Sequence, residues 1–198
     1  MEDTSPPLEL LRALSRIAGL TADPHHAVQR ALCAAHEFRR AMAGRYTYLN
    51  RTSGRYTRRL LNEPDDPYQA IIAEWPAGKL SPVHDHAGTH GCVVAIDGEV
   101  VERKFSARVD TDSAVHLMDG PTVTLCGPGG SHLLDDGDNQ LHAMANISGR
   151  PAATLHIYLQ AIHRFGVYQA IDAGLHRRVE QRLWFDEARA ASTLLQPA

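Results

Sequence analysis

The chain has 198 residues, 43 % of them apolar and 22 % charged, with a formal net charge of −3 at neutral pH. That length suits one domain with a substantial core, and the scattered basic residues give no electrostatic reason to expect a nucleic-acid partner. No apolar stretch approaches a membrane span, Glu2 and Asp3 are unlike the start of a signal peptide, and the three separated cysteines, Cys33, Cys92 and Cys126, suit free thiols in a reducing cytoplasm.

Residues 1–44 read as a helical segment packed on the outside of the rest. Pro6-Pro7 precede an apolar stripe of Leu8, Leu10, Leu11, Leu14 and Ile17 that ends at Gly19. Asp23-Pro24 signals the cap and first turn of a second helix, with Val28, Leu32, Ala35, Phe38 and Met42 on its apolar side and Gly44 as its stop. From Tyr46 the pattern changes to short strands, expected at 56–61, 68–75, 89–96, 100–106, 122–125, 141–147, 154–160, 167–171 and 177–185. Asp97-Gly98 is a tight-turn signal that predicts a hairpin between 89–96 and 100–106. Loops are expected at 126–130 and 135–138, and a polar tail or short helix over the last dozen residues. Many short strands at regular spacing favour a barrel or sandwich, here residues 45–198, in a chain that is one domain overall.

His84-Asp85-His86 is the most informative motif, with a distant partner in His142-Ala-Met-Ala-Asn146. Residues i and i+2 of a strand face the same way, so His84 and His86 project together and His142 can complete a triangle around a metal. Three imidazoles suit zinc, copper, nickel and iron alike. Thr154, His156 and Tyr158 alternate with Leu155, Ile157 and Leu159, which puts three polar groups on one strand face. Tyr56 and Arg58 likewise share a face, and Arg59 points the opposite way.

The two histidine motifs resemble those of the cupin superfamily, with Gly78, His84, His86 and Gly98 in place but Gly91 where a glutamate ligand usually stands. The longer resemblance is to the cysteine dioxygenase family of thiol dioxygenases. It is carried by Arg55-Tyr-Thr-Arg58, Pro82-Val-His-Asp-His86, His142-Ala-Met-Ala-Asn146 and Thr154-Leu-His-Ile-Tyr158, in family order, across roughly residues 45 to 185. The resemblance implies a mainly β, cupin-type barrel with the N-terminal helices outside. It also implies Fe(II) on His84, His86 and His142, a relay of Thr154, His156 and Tyr158 in the cavity, and Arg58 as clamp for a substrate carboxylate, with Tyr56 shaping the pocket. Relatives with a covalent cysteine–tyrosine link carry the cysteine at the position of Gly91. Cys92 lies one step along and on the other face, so no thioether to Tyr158 is expected.

The expected activity is oxidation of L-cysteine by O₂ to cysteine sulfinate. Arg58 would equally take the carboxylate of 3-mercaptopropionate or mercaptosuccinate, and a metal-binding cupin without turnover is the remaining alternative. The expected partners are a small thiol and O₂, without nucleic acid or membrane, in a monomer or small homo-oligomer.

Overall fold

A computed structural model describes residues 5–18, 23–48, 54–111, 114–127, 130–134, 141–172 and 174–188. Helices α1 (Pro6–Ala18) and α2 (Pro24–Met42) form where the apolar stripes place them. Leu10, Leu14 and Ile17 recur at helical spacing on the buried face of α1. The Asp23 carboxylate caps α2 by accepting the backbone N–H groups of His25 at 3.0 Å and His26 at 3.3 Å. Gly44, at φ +70°, takes the left-handed conformation that suits a helix end. Among the described residues, no helix is long and apolar enough to cross a membrane.

The strands are β1 (Thr57–Leu60), β2 (Gln69–Trp75), β3 (Gly91–Asp97), β4 (Glu99–Thr111), β5 (Ala114–Cys126), β6 (Ser131–Leu134), β7 (Leu141–Ala145), β8 (Ala152–Tyr158), β9 (Arg164–Asp172), β10 (Leu175–Arg182) and β11 (Glu187–Ala188). They form two sheets, ordered β11-β1-β2-β8-β3-β6 and β7-β4-β5-β10-β9, antiparallel except for the β1–β11 pair. Every residue of β2 and β8 is buried, because the first sheet is covered on both faces. Its outer face, with Ile72, Cys92, Val94, Leu155 and Ile157, packs against Leu14, Val28, Ala31 and Phe38 of the helices. Its inner face, with Ile71, Ala73, Trp75, Val93 and Tyr158, meets Val100, Leu125, Met144 and Val167 of the second sheet. The site lies in this inner layer.

The structure corrects three sequence expectations. Strands β3 and β4 do not pair: β3 lies between β8 and β6, while β4 lies between β7 and β5. A register shift between Ala95 and Asp97, followed by Gly98 at φ +71°, turns the chain from one sheet to the other. A Cβ on Gly98 would come within 2.8 Å of Ala152, so the turn also needs glycine for space. Strands β4 and β5 run much longer than expected, because their outer halves are exposed and lack apolar alternation. Strand β6 has no counterpart among the expected strands. The predicted loop at 135–138 lies outside the described residues, as do positions 128–129 of the predicted loop at 126–130 and 189–198 of the tail.

Candidate metal centre and active site

His84-Asp85-His86 forms a short extended bridge between β7 and β9 rather than part of a long strand. His84 and His142 exchange backbone hydrogen bonds of 3.0 and 3.1 Å, Asp85 N–H donates to the Gly166 carbonyl at 3.0 Å, and Tyr168 N–H donates to the Val83 carbonyl at 2.9 Å. The buried Asp85 carboxylate points away from the two imidazoles and pins the bridge. It accepts from Gly166 N–H at 2.9 Å, Ala87 N–H at 3.1 Å and Arg178 Nε at 2.7 Å. A Cβ on Gly166 would collide with both Asp85 and Arg178, so this pair requires a glycine beneath it. Ala87 sits at φ +52°, a conformation costing about 1–2 kcal/mol for a residue with a Cβ, directly after His86.

The three imidazoles converge through Nε2. His142 Nε2 lies 3.0 Å from His86 Nε2 and 3.1 Å from His84 Nε2, and the donor atoms all fall within 4.8 Å of one another. Nitrogens about 2.1 Å from a common ion stand about 3.0 Å apart at right angles and about 3.4 Å apart at the tetrahedral angle. The two spacings from His142 are of the length that neighbouring ligands of one ion show. Burial holds His84 and His142 below their ordinary pKa, which keeps both in the neutral form that ligates a metal.

The outer nitrogens set the tautomers. His84 Nδ1 donates to the Pro82 carbonyl at 2.9 Å. His142 Nδ1 donates to Glu102 Oε1 at 2.5 Å, and Glu102 is wholly buried on β4. Both bonds leave Nε2 with its lone pair facing the centre. His132 Nδ1 approaches the other Glu102 oxygen at 3.5 Å. Sequence reasoning misses Glu102; its only signal there is a glutamate two positions after Val100 on a strand expected to alternate.

Beside the triangle lies a cavity of about 210 Å³ whose lining includes His84, His86, His156, Tyr158, Tyr56 and Arg58. His142 is buried behind it, and Thr154 does not reach it. The Thr154–His156–Tyr158 series exists, but only its last two members face the cavity. Trp75 Nε1–H, which can only donate, gives its proton to Thr154 Oγ1 at 2.8 Å. The buried Thr154 hydroxyl in turn lies 2.8 Å from His156 Nε2. His156 Nδ1 faces the Tyr158 oxygen at a long 3.5 Å, and which of the two donates follows the His156 tautomer. Burial, with His84 and Arg58 acting in the same direction, lowers the His156 pKa to about 3, so the ring is neutral. Burial raises the Tyr158 hydroxyl above the usual phenol range, so it keeps its proton. The sequence marks Trp75 only as the end of a strand.

Arg58 stands in the cavity wall on β1. Its Nε donates to the Tyr56 hydroxyl at 3.1 Å, and its guanidinium lies 5.2 Å from the Tyr56 ring centre and 5.8 Å from that of Trp184. Asp186 holds this stretch from the C-terminal side, accepting Arg58 N–H at 2.9 Å and Arg55 Nη2 at 2.8 Å. The segment 181–184 completes the lining, a contribution that no sequence motif announces.

Gly91 has a steric reason to be glycine. A Cβ there would collide with the Ile157 carbonyl oxygen, so neither a glutamate ligand nor a cysteine fits this backbone. Cys92 is buried in the helix-side layer and Tyr158 in the inner layer, on opposite faces of the sheet. Burial pushes the Cys92 thiol up to about 12.

Among solved structures, the chain is similar to the cupin domain of an XRE family transcriptional regulator from Enterobacter cloacae, at 23 % identity over 52 % of this chain and 94 % of that one, with a TM-score of 0.39. It is also similar to the TT1209 protein from Thermus thermophilus, at 18 % identity over 60 % and 93 %, with a TM-score of 0.44. The family model for cysteine dioxygenase type I matches residues 6–169, from the first turn of α1 into β9. That span includes the three histidines, Glu102, Arg58 and the Thr154–Tyr158 strand, and the chain belongs to the cysteine dioxygenase type I family.

Proposed function

We propose that the chain is an Fe(II)-dependent thiol dioxygenase that oxidises L-cysteine with O₂ to cysteine sulfinate. The observation that carries this reading is one cavity lined by His84, His86 and the guanidinium of Arg58, with His142 converging on the same two imidazoles from behind the wall. His84, His86 and His142 hold the ion through Nε2. Ferrous iron, when bound, activates O₂ and favours the thiolate form of the substrate. The sulfur supplies all four electrons that O₂ takes up, and both oxygen atoms end on sulfur, so no further reductant is needed.

The rest of the chemistry belongs to the chain. With Nε occupied by Tyr56, Arg58 offers its two terminal nitrogens to a carboxylate as a bidentate pair. The Tyr56 and Trp184 rings lie within cation–π reach of the guanidinium. Tyr158 presents a hydroxyl proton to the reacting end, while the neutral His156 keeps that phenol oriented. Thr154 and Trp75 are positioning residues behind it. The cavity, about 210 Å³, has room for a cysteine-sized molecule.

Oxygen uptake by the Fe(II)-loaded protein with cysteine, 3-mercaptopropionate, mercaptosuccinate and cysteamine tests the proposal. Fast uptake with cysteine, yielding the sulfinate, and slow uptake with cysteamine are expected. Preference for another thiol acid would keep the chemistry and change the substrate. No uptake with any thiol would leave a metal-binding protein without turnover.

A further inference from the structure

Trp184, just after β10, lines the substrate cavity and is nevertheless 49 % exposed. Its ring centre lies 5.8 Å from the Arg58 guanidinium in the cavity wall. The same ring lies 5.9 Å from the guanidinium of Arg55, an exposed side chain paired with Asp186 at 2.8 Å. One indole therefore reaches from the carboxylate clamp to the surface.

The chain on either side holds this ring in place. Leu183 N–H donates to the His163 carbonyl at 2.9 Å, and Asp186 N–H donates to the Arg58 carbonyl at 2.9 Å. Leu183 and Phe185 pack against the inner core, one on each side of Trp184 in sequence. On its other flank Arg58 meets Tyr56, whose hydroxyl accepts from Nε at 3.1 Å. The Tyr56 ring is backed in turn by the buried Trp75, with ring centres 4.7 Å apart. That flank is closed by core, so the Trp184 flank is the one that leads out to solvent.

A carboxylate seated on the terminal nitrogens of Arg58 ends the substrate at the clamp. A residue joined to that carboxyl by a peptide bond would extend the molecule by about 3.5 Å, and the way out is occupied by the indole. We infer that Trp184 is a specificity-determining residue that limits substrate length at the carboxylate end. It admits a thiol whose carboxylate stops at Arg58 and excludes one extended there by an amino acid, specificity achieved by a built-in clash. The inference rests on the substrate reading proposed above.

Cysteinylglycine is the probe, because it keeps the thiol and amine of cysteine and adds one residue at the carboxyl. Oxygen uptake by the iron-loaded full chain gives kcat/KM for both thiols, and anaerobic isothermal titration calorimetry gives Kd for both. Wild type should favour cysteine. Trp184→Ala should narrow the cysteine-to-cysteinylglycine ratio about 10–100-fold in both readouts, chiefly by a gain on the dipeptide. A change that merely loosened the fold would weaken both thiols alike and leave the ratio where it was. Should Trp184→Ala fail to fold, Trp184→Leu, which shortens the wall but keeps it apolar, should narrow the ratio in the same direction. An unchanged ratio in a folded variant, with cysteine still bound and oxidised by wild type, would overturn this inference alone. So would a wild type that takes cysteinylglycine as well as cysteine. Cysteine neither bound nor oxidised by wild type would overturn the substrate reading, and the inference with it.

Discussion

Glu102→Gln separates two things that the buried carboxylate does for His142. The amide oxygen can still accept the Nδ1 proton, so the tautomer that aims Nε2 at the centre survives. The negative charge that makes the imidazole a stronger donor does not. A hydrogen bond to a charged group contributes about 1.5–3 kcal/mol, against about 1 kcal/mol for a neutral one. The contact is 2.5 Å long and fully buried, so solvent does not weaken the difference. Loss of such an outer partner typically lowers metal affinity about 10–100-fold. Glu102→Gln should fall near about 10-fold, or 1.4 kcal/mol, and Glu102→Leu, which loses charge and acceptor together, near about 100-fold. Anaerobic competition for Fe(II) with a coloured chelator reads this directly, and circular dichroism confirms that each variant is folded. Wild-type affinity in a folded Glu102→Leu would refute the reasoning and leave Glu102 as mere packing.

Arg58→Gln should raise KM for cysteine about 10–100-fold, the loss of a charge-assisted pair, with a smaller effect on kcat. Tyr158→Phe should retain one iron per chain and lower the sulfinate formed per O₂ consumed; unchanged coupling would make the phenol structural. Trp75→Phe removes the donor at the head of the Thr154–His156 series and should cost about 1 kcal/mol in denaturant unfolding, with kcat falling more than KM changes. His156 titrates near 3 in the folded chain against 6.5 ordinarily, so between those values the unfolded chain binds a proton that the folded chain refuses. Its contribution is therefore neutral above pH 6.5, and stability falls as pH drops from 6.5 toward 3, by up to about 1.4 kcal/mol per pH unit. Urea midpoints from pH 7 to 4.5 should fall less steeply in His156→Gln than in the wild type.

The pairing of side chains at the site was legible because extended backbone sends residues two apart to one face: His84 with His86, Tyr56 with Arg58, His156 with Tyr158. What the sequence could not show depends on which sheet covers which. Glu102 shares a strand face with Val100, and only the first sheet lying over that face makes it a buried partner of His142 rather than a solvated acid. Asp97-Gly98 carries a local turn signal, yet a turn does not say whether the strands around it pair or part. Trp184 lines the cavity and Asp186 holds the Arg58 backbone through the β1–β11 pairing and the chain leaving β10, contacts with no local pattern. Thr154 shows the converse error: its face was right, but Trp75 and His156 stand between it and the cavity.

Glycine at position 91 and glutamate at position 102 together explain how charge is arranged around the centre. No side chain fits at Gly91, so no carboxylate can ligate from there, and the negative charge that the chain does supply sits one shell out, on Glu102. On the proposed reading, a ferrous ion and Arg58 contribute three positive charges and Glu102 removes one. A thiol carboxylate bound as thiolate and carboxylate, with a neutral amine, brings two negative charges and closes the account at zero. Cysteamine, lacking the carboxylate, would leave one positive charge uncompensated in a cavity walled by Ile71, Trp75, Met144 and Phe165, where isolated charge is costly. The same arithmetic admits 3-mercaptopropionate. Discrimination between the two thiols must therefore come from the amine and from the shape of the wall rather than from Arg58.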